Sequence, residues 1–326
     1  MIGSEHQQYP LERTDEAASI ARQPLTVTVL ICAYTLKRWG DLDDAVAGVF
    51  RQTQPAHELV IIIDHNPELL ERAQPAFPGA RVIPNAHARG LSGARNTGVA
   101  IASGEIVAFL DDDAIPADTW LEELVAPFAD PAVVGVGGAA LPRWPEHRPV
   151  WFPPEFDWVV GCSYQGLPTK QTQIRNPIGA TMAFRRRAFE VAGGFTEGVG
   201  RVGTLPLGCE ETEFAIRATA QLPGSTVMYV PNSVVHHRVS EDRVAWRYFL
   251  RRCYSEGISK AAVARLVGRE SALASEQTYV RRTLPAGIRR DLRRPEPGAS
   301  RRRALATTAG LAAAATGYAR ARLRQS

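Results

Sequence analysis

The chain has 326 residues, 45% hydrophobic and 22% charged, enough to bury a substantial core as one large domain, alone or with a small appendage. Four scattered cysteines (Cys32, Cys162, Cys209 and Cys253), with no CxxC, argue against zinc or a disulfide framework and for the reduced thiols of an intracellular protein. The net charge of +4 hides a segment from Arg281 to Ser326 that is about +10 on a body of about −6, which argues against a nucleic-acid-binding core.

Residues 1–24 are polar and mixed and read as a flexible tail ending at Pro24; no basic stretch leads into an apolar one, so no secretory signal is expected. From Val27 to Ile31 runs a β-branched strand, followed by a helical pattern over 41–52. A second apolar run, Leu59-Val60-Ile61-Ile62-Ile63, ends at Asp64, and a short strand follows near Val82. A Gly-rich turn then opens a helix over 92–102, and Ile106-Val107-Ala108-Phe109-Leu110 forms the next strand. A helix over 117–128 and a strand over 133–136 complete the first half. Continuous apolar strands alternating with helices predict an α/β fold, a mostly parallel sheet covered on both faces, with ligands bound beyond the carboxyl ends of the strands.

At one of those ends stand Asp111-Asp112-Asp113. Carboxylates on so short a loop repel one another unless a cation lies between them, and a divalent metal with open positions is suited to hold a diphosphate. A solvated acidic turn is the alternative reading of the triplet. Further on, six aromatic residues from Trp144 to Tyr164 are interspersed with prolines; this density fits either an acceptor stacking surface or a small packed subcore. Glu210, Glu211 and Glu213 open a helix over 211–221, where acidic residues also favour the helix dipole. From Trp246 another helix begins, rich in aromatics and arginine, with Arg252 and Lys260 read as part of a solvated face. Residues 293–298 look like a linker. Beyond it, arginines bracket sixteen uncharged residues, 304–319, too short and alanine-rich to span a bilayer. That segment fits a helix on an anionic membrane surface or an exposed, solvated helical tail.

The order of these elements, with Cys32-Ala33-Tyr34, Asp64, Arg89-Gly90-Leu91-Ser92-Gly93-Ala94-Arg95-Asn96-Thr97-Gly98, Asp111-Asp112-Asp113, Gly193-Gly194-Phe195, Cys209-Glu210-Glu211 and His236-His237-Arg238-Val239, resembles the family 2 inverting nucleotide-sugar glycosyltransferases of the GT-A fold, in their non-processive form. The resemblance runs from about residue 26 to 265 and implies a Rossmann-like central sheet with a helical C-terminal appendage. It divides the chain into a tail (1–24), a nucleotide-sugar-binding half (25–140), an acceptor-side half (141–240), a helical region (241–292) and a basic tail with a membrane-surface helix (293–326).

The resemblance also implies roles. Ala33, Tyr34, Asp64, Arg89, Gly90, Arg95, Asp111 and Asp112 would meet the nucleotide-sugar, with UDP the favoured carrier, although Arg95 is equally compatible with a structural salt bridge to the aspartates. Asp113 and His237 would hold Mn2+ or Mg2+, leaving His236 as a packing residue. Glu211 would be the general base, with Glu210 as its alternate because the family's usual Asp is replaced here by Glu. Trp158, Asn176 and Arg252 would lie on the side of an acceptor that is a small molecule, a glycan or a polyprenyl phosphate. The implied location is cytoplasmic, with peripheral membrane contact through the basic tail. A sugar-nucleotidyltransferase or a dinucleotide-binding oxidoreductase would need a Gly-rich loop after the first strand, which Cys32-Ala33-Tyr34-Thr35-Leu36 lacks. A processive synthase would carry Gln-x-x-Arg-Trp and membrane spans, also lacking. A catalytically silent carbohydrate-binding relative is the remaining alternative.

Overall fold

The computed structural model describes residues 25–198, 208–293, 296 and 298–324; the expected tail over 1–24 and part of the expected linker lie outside these. Strands β1 (Val27–Ala33), β2 (Glu58–Ile63), β3 (Arg81–Pro84) and β4 (Ile106–Asp111) run parallel, connected by helices α1 (Trp39–Phe50), α2 (Pro67–Ala76) and α3 (Leu91–Ile101). There follow β5 (Ala114–Pro116), α4 (Trp120–Val125), β6 (Val133–Arg143), β7 (Thr172–Ile174), β8 (Thr181–Arg185), α5 (Arg186–Ala192), α6 (Glu210–Gln221) and β9 (Thr226–Arg238). The sheet order is β3-β2-β1-β4-β8-β6-β9-β5, with β7 also on β9. Strand β8 enters antiparallel between β4 and β6, so the acceptor-side part of the sheet is mixed.

The apolar runs of β1, β2 and β4 are continuous because both faces are covered. Successive strand residues point to opposite sides. Val29, Ile31, Ile61, Ile63, Ala108 and Leu110 join one core with Leu42, Val46 and Val49 of α1 and Trp120 of α4. Leu30, Val60, Ile62, Val107 and Phe109 join the other with Ala94 of α3, Phe189 of α5 and Phe214 of α6. Local signals fix where the chain turns. Asn66 accepts from the Leu69 amide at 3.0 Å and Pro67 fills the first turn, so α2 starts directly after β2 and leaves Asp64 at the strand's carboxyl end.

The C-terminal region is helical: α7 (Trp246–Leu266), α8 (Arg269–Thr278), a π-helical turn (Tyr279–Thr283), α9 (Leu284–Arg293) and α10 (Ser300–Leu323). Among the described residues no helix is long and apolar enough to cross a membrane. The arginine-bracketed segment is neither loose nor splayed, because α10 lies against α7. A Cβ on Gly257 would stand 2.0 Å from the Ala314 carbonyl oxygen, and one on Gly317 would stand 2.0 Å from that of Tyr254. Only glycine allows so close a backbone approach. Most of the aromatic segment is a packed subcore: the rings of Trp151, Phe152 and Phe156 lie 5.3–5.5 Å from that of Phe249.

Candidate active site

Strand pairing assembles the site from distant parts of the sequence. Asp111 ends β4, and the turn Asp112-Asp113 leads directly into β5. Antiparallel pairing of β5 with β9 sets Ala114 opposite His237, and the Arg238 amide donates to the Asp113 carbonyl at 2.8 Å. Alternation along β9 then decides between the two histidines. His237 is buried and turned to the carboxylates, while His236 is exposed. The expectation that His236 packs is therefore corrected, because it faces the opposite side of the strand from the core.

His237 Nε2 lies 3.2 Å from Asp113 Oδ1 and 3.8 Å from Asp111 Oδ2. One ligand atom from each of the three residues can be chosen so that all lie within 4.8 Å of one another. An imidazole nitrogen 3.2 Å from a carboxylate oxygen requires a ring proton or a metal ion between them. Two carboxylate oxygens and one imidazole nitrogen suit Mn2+ or Mg2+, and a nitrogen ligand favours the former. The donor set fits the metal.

Arg38, which sequence reasoning missed, supports this loop. Its Nη1 lies 2.8 Å from Asp112 Oδ1 and 3.0 Å from Asp113 Oδ2. Burial alone would raise both carboxyls. At Asp113 the charges of His237 and Arg38 outweigh burial and hold it well below the usual carboxylate range. At Asp112 burial prevails over Arg38, helped by the charges of Asp113 and Asp111, and the carboxyl is pushed up to about 7. Asp112 thus turns onto Arg38 and does not line the cavity.

Arg95 is buried, with Nη1 2.9 Å from Glu210 Oε1, Nη2 donating to the Gly179 carbonyl at 2.9 Å, and Asp111 3.6 Å away. It is thus a clamp joining β4, the loop before β8 and the start of α6. Glu210 is held by this clamp, while Glu211 is half-buried on the cavity wall. Burial, then the neighbouring Glu210 charge, pushes the Glu211 carboxyl up to about 7, against Arg95 and Lys260. Cys209, directly before them, has φ +77°, a left-handed conformation strained for a non-glycine residue.

These groups line one cavity of about 1110 Å³. Of the residues named from sequence, Arg95, Asp111, Asp113, His237, Glu210, Glu211, Trp158, Asn176 and Arg252 lie on its wall. Ala33, Tyr34, Asp64, Arg89, Gly90 and Asp112 do not; they cluster beside it at the ends of β1, β2 and β4 and the start of α3. Asp64 holds that neighbourhood together, accepting from Asn85 Nδ2 at 2.7 Å and the Gly90 amide at 3.0 Å, while Arg89 donates to the His65 carbonyl. Arg252 is not on a solvated face: its side chain is 13% exposed and paired with Glu256 at 2.8 Å. Arg175 just after β7, Glu256 on α7 and Glu276 on α8 also line the cavity and carry no sequence signal, since they meet only when these three parts of the chain pack together.

A sheet of this order, with an Asp-x-Asp loop and a histidine of the neighbouring β9 turned to it, defines a GT-A-fold glycosyltransferase. The chain belongs to glycosyl transferase family 2, whose profile matches residues 28–193. The glucosyl-dolichyl phosphate glucuronosyltransferase of Haloferax volcanii is 33% identical over 240 residues, 72% of this chain and 76% of that protein. Succinoglycan biosynthesis protein ExoM of Rhizobium meliloti is 24% identical over 244 residues, 72% and 74% of the two chains. Mannosyltransferase PcManGT from Pyrobaculum calidifontis, solved in complex with GDP-Man and Mn2+, shares the fold at a TM-score of 0.60 and 20% identity, covering 91% of this chain and 88% of that one.

Proposed function

We propose that the chain is a metal-dependent, inverting glycosyltransferase that moves one sugar at a time from a nucleotide-sugar, with UDP as the carrier, to an acceptor hydroxyl or phosphate. The observation that carries this reading is the convergence of Asp111, Asp113 and His237 on one point of the cavity wall. These three would hold Mn2+ or Mg2+, which when bound supplies positive charge to the diphosphate and stabilises it as a leaving group. Arg38 keeps the acidic loop in place for this, and Arg95 fixes Asp111 relative to α6. Asp64, Arg89 and Gly90 shape the turn that meets the nucleoside, beside Ala33 and Tyr34.

Glu211 takes the proton of an acceptor hydroxyl as its oxygen attacks the anomeric carbon. A carboxyl poised near 7 suits a base that works at neutral pH, while Glu210 is engaged by Arg95. One base and one departing diphosphate suffice for a single displacement, which inverts the configuration. The Haloferax relative is named for glucosyl-dolichyl phosphate, so a polyprenyl-phosphate-linked acceptor is the favoured class. Contact with an anionic membrane through the arginine-rich C-terminal face belongs to the same reading.

The test is calorimetric titration with UDP and GDP, each with Mn2+ or with EDTA, repeated on Asp113→Ala. Micromolar, metal-dependent binding of UDP, lost in the variant, is expected. Binding of GDP instead would overturn the choice of carrier, and binding of neither to folded protein would overturn the donor site.

A further inference from the structure

Among the described residues six arginine and lysine side chains line the cavity: Arg38, Arg95, Arg175, Arg243, Arg252 and Lys260. Five of them hold a carboxylate oxygen at 2.6–2.9 Å. Arg243 is the exception. It is only 6% exposed, yet among the described residues no carboxylate lies within ion-pair distance of it and its guanidinium donates no hydrogen bond. Arg243 sits in the short helical turn Glu241–Val244, between β9 and α7. That turn carries two carboxylates of its own, but Glu241 and Asp242 are exposed, and Asp242 accepts from the Ser240 hydroxyl instead. A guanidinium has five N–H donors and a charge it cannot shed, so burying it unanswered is costly until an anion arrives.

The surroundings of Arg243 indicate which anion. Its charge helps to hold the Asp113 carboxyl low, so it stands near the cluster of Asp111, Asp113 and His237 without touching it. In the sheet, the neighbourhood of Asp64 lies at β1 and β2, on one side of β4. Strand β9, which Arg243 follows, lies on the other side, beyond β8 and β6. A donor with its nucleoside at Asp64 and its diphosphate at the acidic loop therefore turns its outer half towards Arg243.

We propose that Arg243 binds an oxyanion in the sugar-side half of the donor, either the phosphate that carries the sugar or a carboxylate on the sugar itself. The planar fork of N–H donors matches both groups. This contact presupposes the donor site at Asp111, Asp113 and His237, and adds to it a cation that is not a metal.

Calorimetric titration in Mn2+ with UMP, UDP, UDP-glucose and UDP-glucuronate, on the unmodified protein and on Arg243→Met, tests it. Loss of at least about tenfold for UDP with UMP unchanged is expected where the anion is the outer phosphate. The same loss confined to UDP-glucuronate, with UDP and UDP-glucose unchanged, is expected where it is the sugar carboxylate. Without nucleotide, Arg243→Met is expected to keep or raise the urea midpoint, because it removes a buried charge that has no partner. A lowered midpoint would mean that the guanidinium already has its partners, and would overturn the seat. Unchanged binding of all four nucleotides, or an equal loss for UMP, would overturn it too. If GDP is the carrier, GMP, GDP, GDP-mannose and GDP-mannuronate take the place of the uridine series. Binding of neither UDP nor GDP to the unmodified protein removes the donor site and the seat together, whereas tight binding that ignores Arg243→Met removes the seat alone.

Discussion

In its proposed role as base, Glu211 would link activity and stability to pH in opposite directions. Its carboxyl is raised from an ordinary 4.5 to about 7, so the folded chain binds a proton there more tightly than the unfolded chain does. The stability this contributes is complete below the unfolded value and is lost as pH rises through about 7. A base acts in its ionised form, so under the proposed mechanism kcat/KM for transfer is expected to fall tenfold per pH unit below about 7 and to level off above it. Glu211→Gln should lower kcat by about 10²–10⁴-fold with nucleotide affinity intact, and should flatten the stability change between pH 4.5 and 7 in urea titrations. Arg38→Met should cost about 3–5 kcal/mol, read from the urea midpoint, because it leaves Asp112 and Asp113 buried without their guanidinium. Asp111, Asp113, His237 and Glu211 were legible in sequence as ordered motifs at strand and helix ends. Arg38 was not, because a lone arginine after β1 acquires its partners only when β1 and β4 lie side by side.

At the scale of elements, the contact of α7 with α10 depends on the absence of side chains at two crossing points, Gly257 and Gly317. Gly257→Val is expected to cost about 1–3 kcal/mol by forcing the helices apart, seen as a lower thermal midpoint and faster amide exchange confined to α10. The helix itself was legible from its alanine-rich run between arginines, but its docking was not. A face of Ala and Gly shows no hydrophobic periodicity, and its stability comes from close backbone approach, which leaves no trace in a pattern of apolar residues. Strand β6 shows the same limit. The apolar run 133–136 announced it, yet it continues to Arg143 through Gly137, Gly138 and Pro142 because β9 pairs with it over that stretch. By contrast β1, β2 and β4 could be read directly, since burial on both faces requires continuous apolar sequence.

For the whole molecule, charge is segregated: exposed arginines such as Arg281, Arg289, Arg293, Arg301 and Arg302, with exposed Leu292 and Leu305, all belong to the C-terminal helices. Cosedimentation with vesicles containing anionic lipid is expected at low salt and should be lost near 0.5 M salt, where the screening length falls to a few ångströms. Binding to neutral vesicles alone would contradict it. The pairing of β5 with β9 has a consequence of another kind, in time. Asp111 and Asp113 are synthesised early and His237 late, and they meet only when β9 closes onto the short strand beside the acidic loop. Contacts so distant in sequence form slowly. In refolding, far-UV ellipticity should therefore recover first and Mn2+ binding last. A bound divalent ion would then be a witness that the chain has completed its topology, because a half-folded molecule lacks the third side chain of the cluster.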